Sequence, residues 1–389
     1  MGETCSCLRQ TENPYRSLVL QASFKGSLQS IQYGSFNDVK LDLPTSLPTI
    51  NTKNAAHGYL ARKTYRNLVS SKAPPGYKFA KKNPFPKQWN FRFQELSDEE
   101  GIEDLKPVKH KKNKHIYQGQ WFKRKFKHGI GRELQKDGTL VIGDFRSNQL
   151  HGNAKIQKPD GTVIMGEFRL GKPVGNGKII KPEQFIYKGE IKDYMRHGKG
   201  TIEFENGTSY TGDFKNNLKH GHGKIVYPDG ASYEGEFEND LQNGKGYAEW
   251  PGGSYYEGYY KDNMKHGQGR YVWAKDCFYK GEFKNNSMDG WGRCVWSDGK
   301  IYEGYWSQGK KHGTGVFEWP DGRVYEGEYL NDLKHGTGIL KWKDGTMYNG
   351  EWKDGKQDGV AFLSFFDKNK LVTKRSLWEK GKKVKWLSN

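Results

Sequence analysis

The chain has 389 residues and a formal net charge of +19, but only 34% of its residues are hydrophobic, against roughly 45–50% (glycine included) for globular domains. Fifty glycines and a 14% aromatic share account for the difference, which excludes one large globular core. No run of 18 apolar residues and no apolar signal-peptide core is present, so we expect a cytoplasmic protein without a transmembrane helix. Four cysteines are too few for a disulfide framework.

The first residues match a lipidation pattern. The chain begins Met-Gly-Glu-Thr-Cys-Ser-Cys, in which Gly2 and Ser6 fit the pattern for N-myristoylation and Cys5 and Cys7 are placed for S-acylation. One acyl chain binds membranes weakly, and a second chain or a basic patch makes the binding stable. Glu3 is a poor neighbour for an acceptor glycine, so the alternative is an ordinary N-terminus with two exposed thiols. The candidate lipidation sites are Gly2, Cys5 and Cys7.

Residues 1–115 contain no repeat and are expected to form a basic, largely extended arm. One helix is predicted within it, over residues 54–69, where apolar side chains recur at helical spacing. Ten Lys or Arg and no acidic residue lie between positions 53 and 92. A basic amphipathic helix can bind a membrane, a calmodulin-like protein or an acidic filament, although it can also be a solvated linker helix.

A second basic stretch lies where the arm ends. Residues 106–127 carry nine Lys or Arg and no Asp or Glu. With the predicted helix, this stretch indicates a surface for acidic proteins or anionic phospholipid. The candidate binding residues are Arg62, Lys63, Arg66, Lys111, Lys112, Lys123, Arg124, Lys125 and Lys127.

From Tyr117 to Phe366, one unit of about 23 residues occurs eleven times, and its clearest copy runs from Tyr210 to Gly230. A fixed period of this size indicates a repeat array in which each unit packs on its neighbours. A unit opens with an aromatic, Val or Ile residue, has Gly two residues later, and usually has a second aromatic four residues later. These three positions share one face of a strand. The opening positions are Tyr117, Val141, Ile164, Tyr187, Tyr210, Tyr233, Tyr256, Tyr279, Tyr302, Tyr325 and Tyr348.

The rest of each unit predicts a β-hairpin. A short polar turn follows the first strand, then His-Gly-x-Gly, a second alternating run and an Asp-Gly turn into the next unit. Eleven hairpins give an elongated single-layer all-β array of roughly 22 strands about 4.8 Å apart, over residues 116–366. The predicted core aromatics are Tyr187, Tyr210, Phe214, Tyr233, Phe237, Tyr256, Tyr279, Phe283, Tyr302, Trp306, Tyr325, Tyr348 and Trp352.

These units resemble the MORN (membrane occupation and recognition nexus) repeat, with its pattern Y-x-G-x-[FW] followed by H-G-x-G. Departures occur in the early copies, where Val141, Ile164 and Ile191 replace aromatics, and in four copies that lack the histidine. The resemblance implies an elongated all-β array that binds proteins or membranes, and simple proteins of this type resemble components of cilia and flagella.

No pattern in the chain indicates catalysis or a cofactor. The recurring histidines, such as His220 and His266, occur once per unit at a fixed position, so about 10 Å separates neighbours, too far for shared metal coordination. The Gly-x-Gly triplets lack a following helix and a Gly-Lys-[Ser/Thr] ending, so they are not phosphate loops. Carboxylates such as Asp213, Glu236 and Glu282 are expected on a solvated face. No nucleic-acid motif is present either, so nucleic acid is not expected as a partner.

The last segment, residues 367–389, is basic and is predicted to form an irregular cap over the final hairpin. The sequence as a whole predicts a non-catalytic scaffold that docks protein partners in a cytoskeletal assembly, with the axoneme of a cilium or flagellum as the favoured setting. The alternative is a peripheral membrane protein held by N-terminal acylation and basic patches on anionic phospholipid. A homodimer through unpaired end strands is a further expectation.

Overall fold

The computed structural model describes residues 73, 75–79, 102–368 and 370–388. All regular structure in these residues is β-strand. The strands are β1 (Tyr77–Phe79), β2 (Ile102–His110), β3 (Ile116–Phe122), β4 (Phe126–Leu134), β5 (Leu140–Arg146), β6 (Gln149–Gln157), β7 (Val163–Arg169), β8 (Lys172–Lys181), β9 (Phe185–Lys192), β10 (Met195–Phe204), β11 (Ser209–Lys215), β12 (Leu218–Val226), β13 (Ser232–Glu238), β14 (Leu241–Glu249), β15 (Tyr255–Lys261), β16 (Met264–Ala274), β17 (Cys277–Lys284), β18 (Ser287–Val295), β19 (Ile301–Ser307), β20 (Lys310–Glu318), β21 (Val324–Leu330), β22 (Leu333–Lys341), β23 (Met347–Lys353), β24 (Lys356–Asp367), β25 (Lys370–Glu379) and β26 (Lys382–Trp386).

The described strands form one open antiparallel sheet in which each strand pairs with the next one along the chain. Each repeat contributes two consecutive strands, for example β11 and β12 in the fifth. The prediction of an all-β array of stacked hairpins is therefore confirmed.

Turn chemistry sets the length of each hairpin. In the fifth repeat, Asn216 and Asn217 join β11 to β12 with φ angles of 50° and 75°. Positive φ at both positions belongs to the two-residue turn that matches the twist of paired strands, and Asn tolerates this conformation. The following turn is closed by the amide of Tyr227, which donates to the carbonyl of Ala231 at 2.8 Å. The first repeat is one residue longer because a three-residue turn, residues 123–125, joins β3 to β4.

The two faces of the sheet differ in character. The inner face carries Tyr210 and Phe214 of β11, which are 0% and 4% exposed, and the outer face carries Thr211 and Asp213. The opening tyrosines of all repeats that have one are at most 1% exposed. Because the described sheet has no second layer, the core is built from side chains of neighbouring hairpins on the inner face.

A row of small residues crosses the middle of the repeat strands. Gly212 of β11 lies opposite Gly223 of β12, which lies opposite Gly235 of β13, and the pattern continues through the array with Ala154 and Ala361 as the exceptions. The ring of each opening tyrosine covers this row. A Cβ atom at Gly223 would lie 2.4 Å from the Tyr210 hydroxyl, so the Tyr210 ring would have to shift to admit it. Ala361 takes the corresponding place in the last repeat, beside Tyr348.

The sheet extends beyond the repeats at both ends. β1 and β2 come from the segment predicted as an extended arm, and β2 pairs with β3. The prediction of an irregular C-terminal cap is wrong for the described part of residues 367–389, because β25 pairs along β24 from Gly359 to Asp367 and β26 follows. A paired strand satisfies the edge amides and carbonyls of β24, which an irregular segment would leave unpaired. The predicted helix over residues 54–69 lies outside the described residues.

Candidate functional site

The inner face carries a continuous ladder of aromatic rings. From Tyr210 to Tyr325, each opening tyrosine packs edge to face between the second aromatic of its own repeat and that of the next. Tyr187 packs on Phe214 alone, since Ile191 fills the position in its own repeat, and Tyr348 packs between Trp352 and Trp378. Ring centroids in the ladder are 5.0–5.6 Å apart. In order, the rings are Tyr187, Phe214, Tyr210, Phe237, Tyr233, Tyr260, Tyr256, Phe283, Tyr279, Trp306, Tyr302, Tyr329, Tyr325, Trp352, Tyr348 and Trp378. Such pairs contribute roughly 0.5–1.5 kcal/mol each beyond area burial.

All thirteen predicted core aromatics lie in this ladder, and the structure adds Tyr260, Tyr329 and Trp378. Trp378 of β25 packs on Tyr348 at 5.3 Å, where a twelfth repeat would place its second aromatic. Each ladder tyrosine that opens a repeat donates its hydroxyl hydrogen to a backbone carbonyl three residues on, as Tyr210 does to Asp213 at 2.9 Å. Burial raises the pKa of Tyr187 to about 12, so these rings act as neutral structural groups.

A second line of rings runs beside the ladder, near the end of the second strand of each hairpin. We call it the aromatic stripe, and it has one member in each repeat from the fourth to the eleventh. Its members are Phe204, Tyr227, Trp250, Trp273, Trp296, Trp319, Trp342 and Phe365, at an unbroken spacing of 23 residues. Except for the buried Trp296, they are partly exposed. The sequence analysis did not predict the stripe, although its 23-residue spacing is regular in the sequence.

Cationic side chains lie over these rings. The ammonium of Lys334 is 4.8 Å from the ring centroids of Trp319, Tyr325 and Trp352. Lys311 lies over Trp296 in the same manner, at 5.9 Å. Cation–π contacts of this kind hold the cation at the ring face. The inner face therefore combines apolar area with fixed positive charge.

The cation of the seventh repeat lacks the carboxylate that serves two of its counterparts. Lys219 and Lys311 pair with Asp240 and Asp332 in the next turn, at 3.1 and 3.2 Å, whereas the matching position for Lys265 is Asn286. The Lys265 ammonium lies 5.0–5.6 Å from the ring centroids of three aromatic residues. These residues are Trp250, Tyr256 and Tyr271. Burial lowers the pKa of Lys265 to about 8.

A shallow groove opens on the inner face where the stripe begins. It has a volume of about 720 Å³ and is lined by the rings of Phe185, Phe204 and Phe214 with charged neighbours that include Arg196 and Asp240. The guanidinium of Arg196 stacks on Phe185 at 5.0 Å. This arrangement offers apolar and charged contacts to a macromolecule.

The acidic side chains between the strand glycine and the second aromatic have a structural role. Asp213, Glu236 and Glu282 were expected on a solvated face, but each accepts a hydrogen bond from a backbone amide nine residues on, at 2.9–3.3 Å. The acceptor lies at the β-bulge that the His-Gly-x-Gly segment forms. Equivalent bonds are made by Asp144, Glu190 and Glu328. We call these side chains the bulge caps.

The predicted basic patch is divided by the fold. Lys111 and Lys112 lie in the turn between β2 and β3. Lys123, Arg124 and Lys125 form the turn between β3 and β4, which lies at the other end of strand β3. Arg124 pairs with Glu103 at 2.8 Å.

Lys127 is buried and pairs with Glu133 at 2.6 Å, so it is not available to a lipid or acidic surface. The candidate residues Gly2, Cys5, Cys7, Arg62, Lys63 and Arg66 lie outside the described residues.

Within the described ranges, no helix is long and apolar enough to cross a membrane. No group of three or more His, Cys, Asp or Glu side chains in the same ranges is placed to hold a metal ion.

An open sheet of stacked hairpins, with rings and cations on its inner face, is the architecture of a repeat-based interaction scaffold. The chain belongs to the MORN repeat family. The family profile matches eleven consecutive units over residues 117–140, 142–163, 165–183, 187–209, 210–232, 233–255, 256–278, 279–301, 302–322, 325–347 and 348–370. The prediction of a MORN repeat protein with eleven repeats is confirmed.

Comparisons with curated proteins and with solved structures do not extend the family assignment. No curated protein matches the sequence. Similar solved structures include the SAS-4 TCP domain in complex with a proline-rich motif of Ana2 from Drosophila melanogaster, at 12% identity over 57% of this chain and 90% of that one, with a TM-score of 0.15. Virginiamycin B lyase from Staphylococcus aureus is 11% identical over 73% and 87% of the two chains, and a streptogramin B lyase 12% identical over 62% and 91%, both with TM-scores of 0.13. TM-scores this low carry no argument about fold or function.

Proposed function

We propose that the protein is a non-catalytic scaffold whose inner face docks protein partners. The aromatic stripe carries the proposal, because seven of its eight rings stay partly exposed beside a core that the ladder already completes. Trp and Tyr are the residues on which binding energy concentrates at protein interfaces. Lys265 and Lys334 add positive charge beside the stripe, which favours partners with acidic side chains.

The favoured setting is a cytoskeletal assembly, the axoneme of a cilium or flagellum. The net charge of +19 suits an acidic filament surface such as that of tubulin. The likeness of simple MORN proteins to ciliary components points to the same location. In this proposal the protein needs no cofactor and the array holds other proteins in place along a filament.

Imaging in ciliated cells tests the proposal when the tag leaves the native N-terminus free. Trp250→Lys with Trp342→Lys is the informative variant, because Lys158 and Lys181 occupy the same position in the second and third repeats and show that the fold accepts lysine there. We expect axonemal signal for the natural sequence and diffuse signal for the variant at equal abundance. Diffuse signal for the natural sequence, or axonemal signal for the variant, would contradict the proposal.

The second candidate is a peripheral membrane protein. Lys111 and Lys112 are exposed and lie together in the turn between β2 and β3, which suits an anionic phospholipid surface. Acylation at Gly2 and at Cys5 or Cys7 would supply the anchor. Two measurements test this candidate. Gly2→Ala should release the protein from the membrane fraction of cells, and unmodified protein should float with anionic vesicles at low salt only. Unchanged fractionation together with absent flotation excludes this candidate.

A further inference from the structure

The outer face of β15–β19 differs from that of β11–β13. Three rows of side chains on these five strands, exposed in the first two rows and half-buried in the third, make up what we call the outer patch. The aromatic row is Tyr259, Trp291 and Tyr305. The basic row is Arg270, Lys280 and Arg293. The apolar row is Tyr255, Val272, Phe278, Val295 and Ile301.

The preceding hairpins show what an outer face without this character looks like. On β11–β13 the same three rows hold only polar or charged side chains apart from Val226. Lys224, for example, is exposed and pairs with Glu234 at 3.2 Å. The hairpins of both regions share period, turns and ladder. The outer patch is therefore not a requirement of the fold.

Two members of the aromatic row stand where the fold uses a bulge cap. Tyr259 and Tyr305 occupy the position that Glu236 and Glu282 fill in neighbouring repeats. The amides nine residues on, those of Gln268 and Thr314, consequently receive no carboxylate. The tyrosines instead leave 44% and 50% of their surface exposed. Replacing a capping acid with an exposed ring removes the carboxylate acceptor of the bulge amide, and an exposed aromatic cluster is typical of a binding surface.

Trp291 completes the aromatic row. It lies directly opposite Tyr305 on the neighbouring strand, is 44% exposed and meets the Tyr305 ring edge to face at 5.3 Å. The corresponding residue of the fifth and sixth repeats is His222 or Lys245. The pair of rings forms a rigid apolar platform at low cost in side-chain entropy.

The basic row places like charges opposite one another. Lys280 of β17 faces Arg270 on one side and Arg293 on the other. Directly opposed like charges destabilise a sheet, and a bound anion removes that repulsion. Glu257 and Glu303 flank the row, and Glu303 contacts Arg293 at 3.4 Å, so Lys280 is the member of the row with a cation on both sides. The three cations span about 10 Å across the strands.

We propose that the outer patch is a second docking surface, and that it binds an extended acidic segment of a protein partner. Carboxylates of the segment pair with the basic row while an apolar side chain rests on Trp291 and Tyr305. An acidic segment that runs across the strands along the basic row also lies beside the aromatic row, so it can contact both rows at once. The surface lies on the opposite face from the aromatic stripe, so this inference and the inner-face proposal succeed or fail separately.

The test uses a variant that restores the bulge caps. Tyr259→Glu with Tyr305→Glu removes two rings from the patch and returns the residue type that the fold uses at both positions, so the melting temperature should stay equal or rise. A phage-displayed library of random 16-residue peptides is selected on the full-length natural protein and depleted on this variant. We expect surviving peptides that carry several Asp or Glu residues and at least one aromatic residue.

A charge-matched pair of variants then localises the binding. Lys280→Glu and Lys224→Glu make the same change in the same row, the first inside the outer patch and the second outside it. Fluorescence anisotropy with a selected peptide should show at least tenfold weaker binding to Lys280→Glu and unchanged binding to Lys224→Glu. The proposal is overturned by any of three results: no peptide survives depletion, survivors show no acidic bias, or both lysine variants lose binding equally. Loss of anionic-vesicle binding in the Glu double variant, without peptide selection, would assign the patch to a membrane instead.

Discussion

The second and third repeats form the same hairpins as the eight that follow, but with different side chains. Val141 and Ile164 open these two repeats in place of tyrosine, and both are 4% exposed. Ala154 takes the place of a glycine in the second repeat, where no tyrosine ring lies above it. The ladder from Tyr187 and the stripe from Phe204 begin together in the fourth repeat. An aliphatic opening residue is thus compatible with the hairpin when the second aromatic position holds a buried ring, as Phe145 and Phe168 do at 4% and 0% exposure. The ladder and the stripe are features that repeats four to eleven add to a hairpin they share with the earlier repeats.

Truncating a ladder ring should have the largest effect. Tyr256→Ala removes a fully buried ring with two edge-to-face neighbours, so we expect the free energy of unfolding to fall by roughly 3–5 kcal/mol. Val141→Ala, the matched change in the aliphatic region, should lower it by only about 2 kcal/mol. Urea denaturation followed by circular dichroism measures both. Equal losses would remove the distinction between the two regions.

A methyl group beneath a ladder ring should have the next largest effect. In Gly223→Ala the new Cβ would meet the Tyr210 hydroxyl at 2.4 Å and ring carbons at 2.5 Å, so the ring must shift. Overpacking of this kind costs about 1–3 kcal/mol. Ala154→Gly, the control, should cost about 0.5–1 kcal/mol through backbone entropy alone. If Gly223→Ala unfolds at the same urea concentration as the natural protein, the ring does not require bare backbone.

Adding a ladder tyrosine to the second repeat also tests whether a ring needs glycine beneath it. Val141→Tyr places a ring over Ala154 and should cost about 1–3 kcal/mol by crowding. Adding Ala154→Gly should recover that loss, because the new ring then lies over bare backbone between Phe145 and Phe168. Thermal unfolding of the two single variants and the double variant gives the coupling energy. Additive effects would show that ring and glycine are independent.

The smallest effect concerns Lys265 and depends on pH. Its pKa is lowered in the folded state, so the unfolded chain binds more protons and the free energy of unfolding should rise with pH from about 8 towards 10.5. Asn286→Asp supplies the partner that Asp332 gives Lys311, raises the pKa of Lys265 and removes this rise, which we expect to be on the order of 1 kcal/mol between pH 7.5 and 9.5.

Asn263→Asp makes the same change in the preceding turn, opposite Gln242, and is the matched control. It should leave the pH dependence as it is in the natural protein. Urea denaturation at the two pH values measures all three proteins. An unchanged slope in Asn286→Asp would show that Lys265 is not the group responsible.

The sequence predicted the hairpin, its phase and its buried tyrosines because each depends on local spacing. Residues two positions apart in a strand lie on the same face of the sheet. The pair Asn216-Asn217 favours a turn through its own backbone preferences, independent of the rest of the fold. The role of Asp213 could not be predicted in this way. It depends on the bulge opposite Gly212, which brings the His222 amide to the carboxylate, and a bulge is set by pairing with another strand.

The C-terminal strands were missed for a related reason. Residues 370–386 lack the repeat pattern, so nothing local marks them as strands of the sheet. They form strands because β24 presents a row of unpaired backbone groups and because Trp378 fills the last place in the ladder. The aromatic stripe was missed although its spacing was regular, because the pattern that defines the repeat lies earlier in each unit.

The position of Trp378 has a consequence for how far the protein can reach. Since this ring closes the ladder in the same way that any repeat would, a hairpin could be inserted or deleted before it without leaving a ring uncovered. Each such change would move the two ends by two strand spacings, about 10 Å. The length of the array can therefore change in whole units while the strand that closes it stays the same.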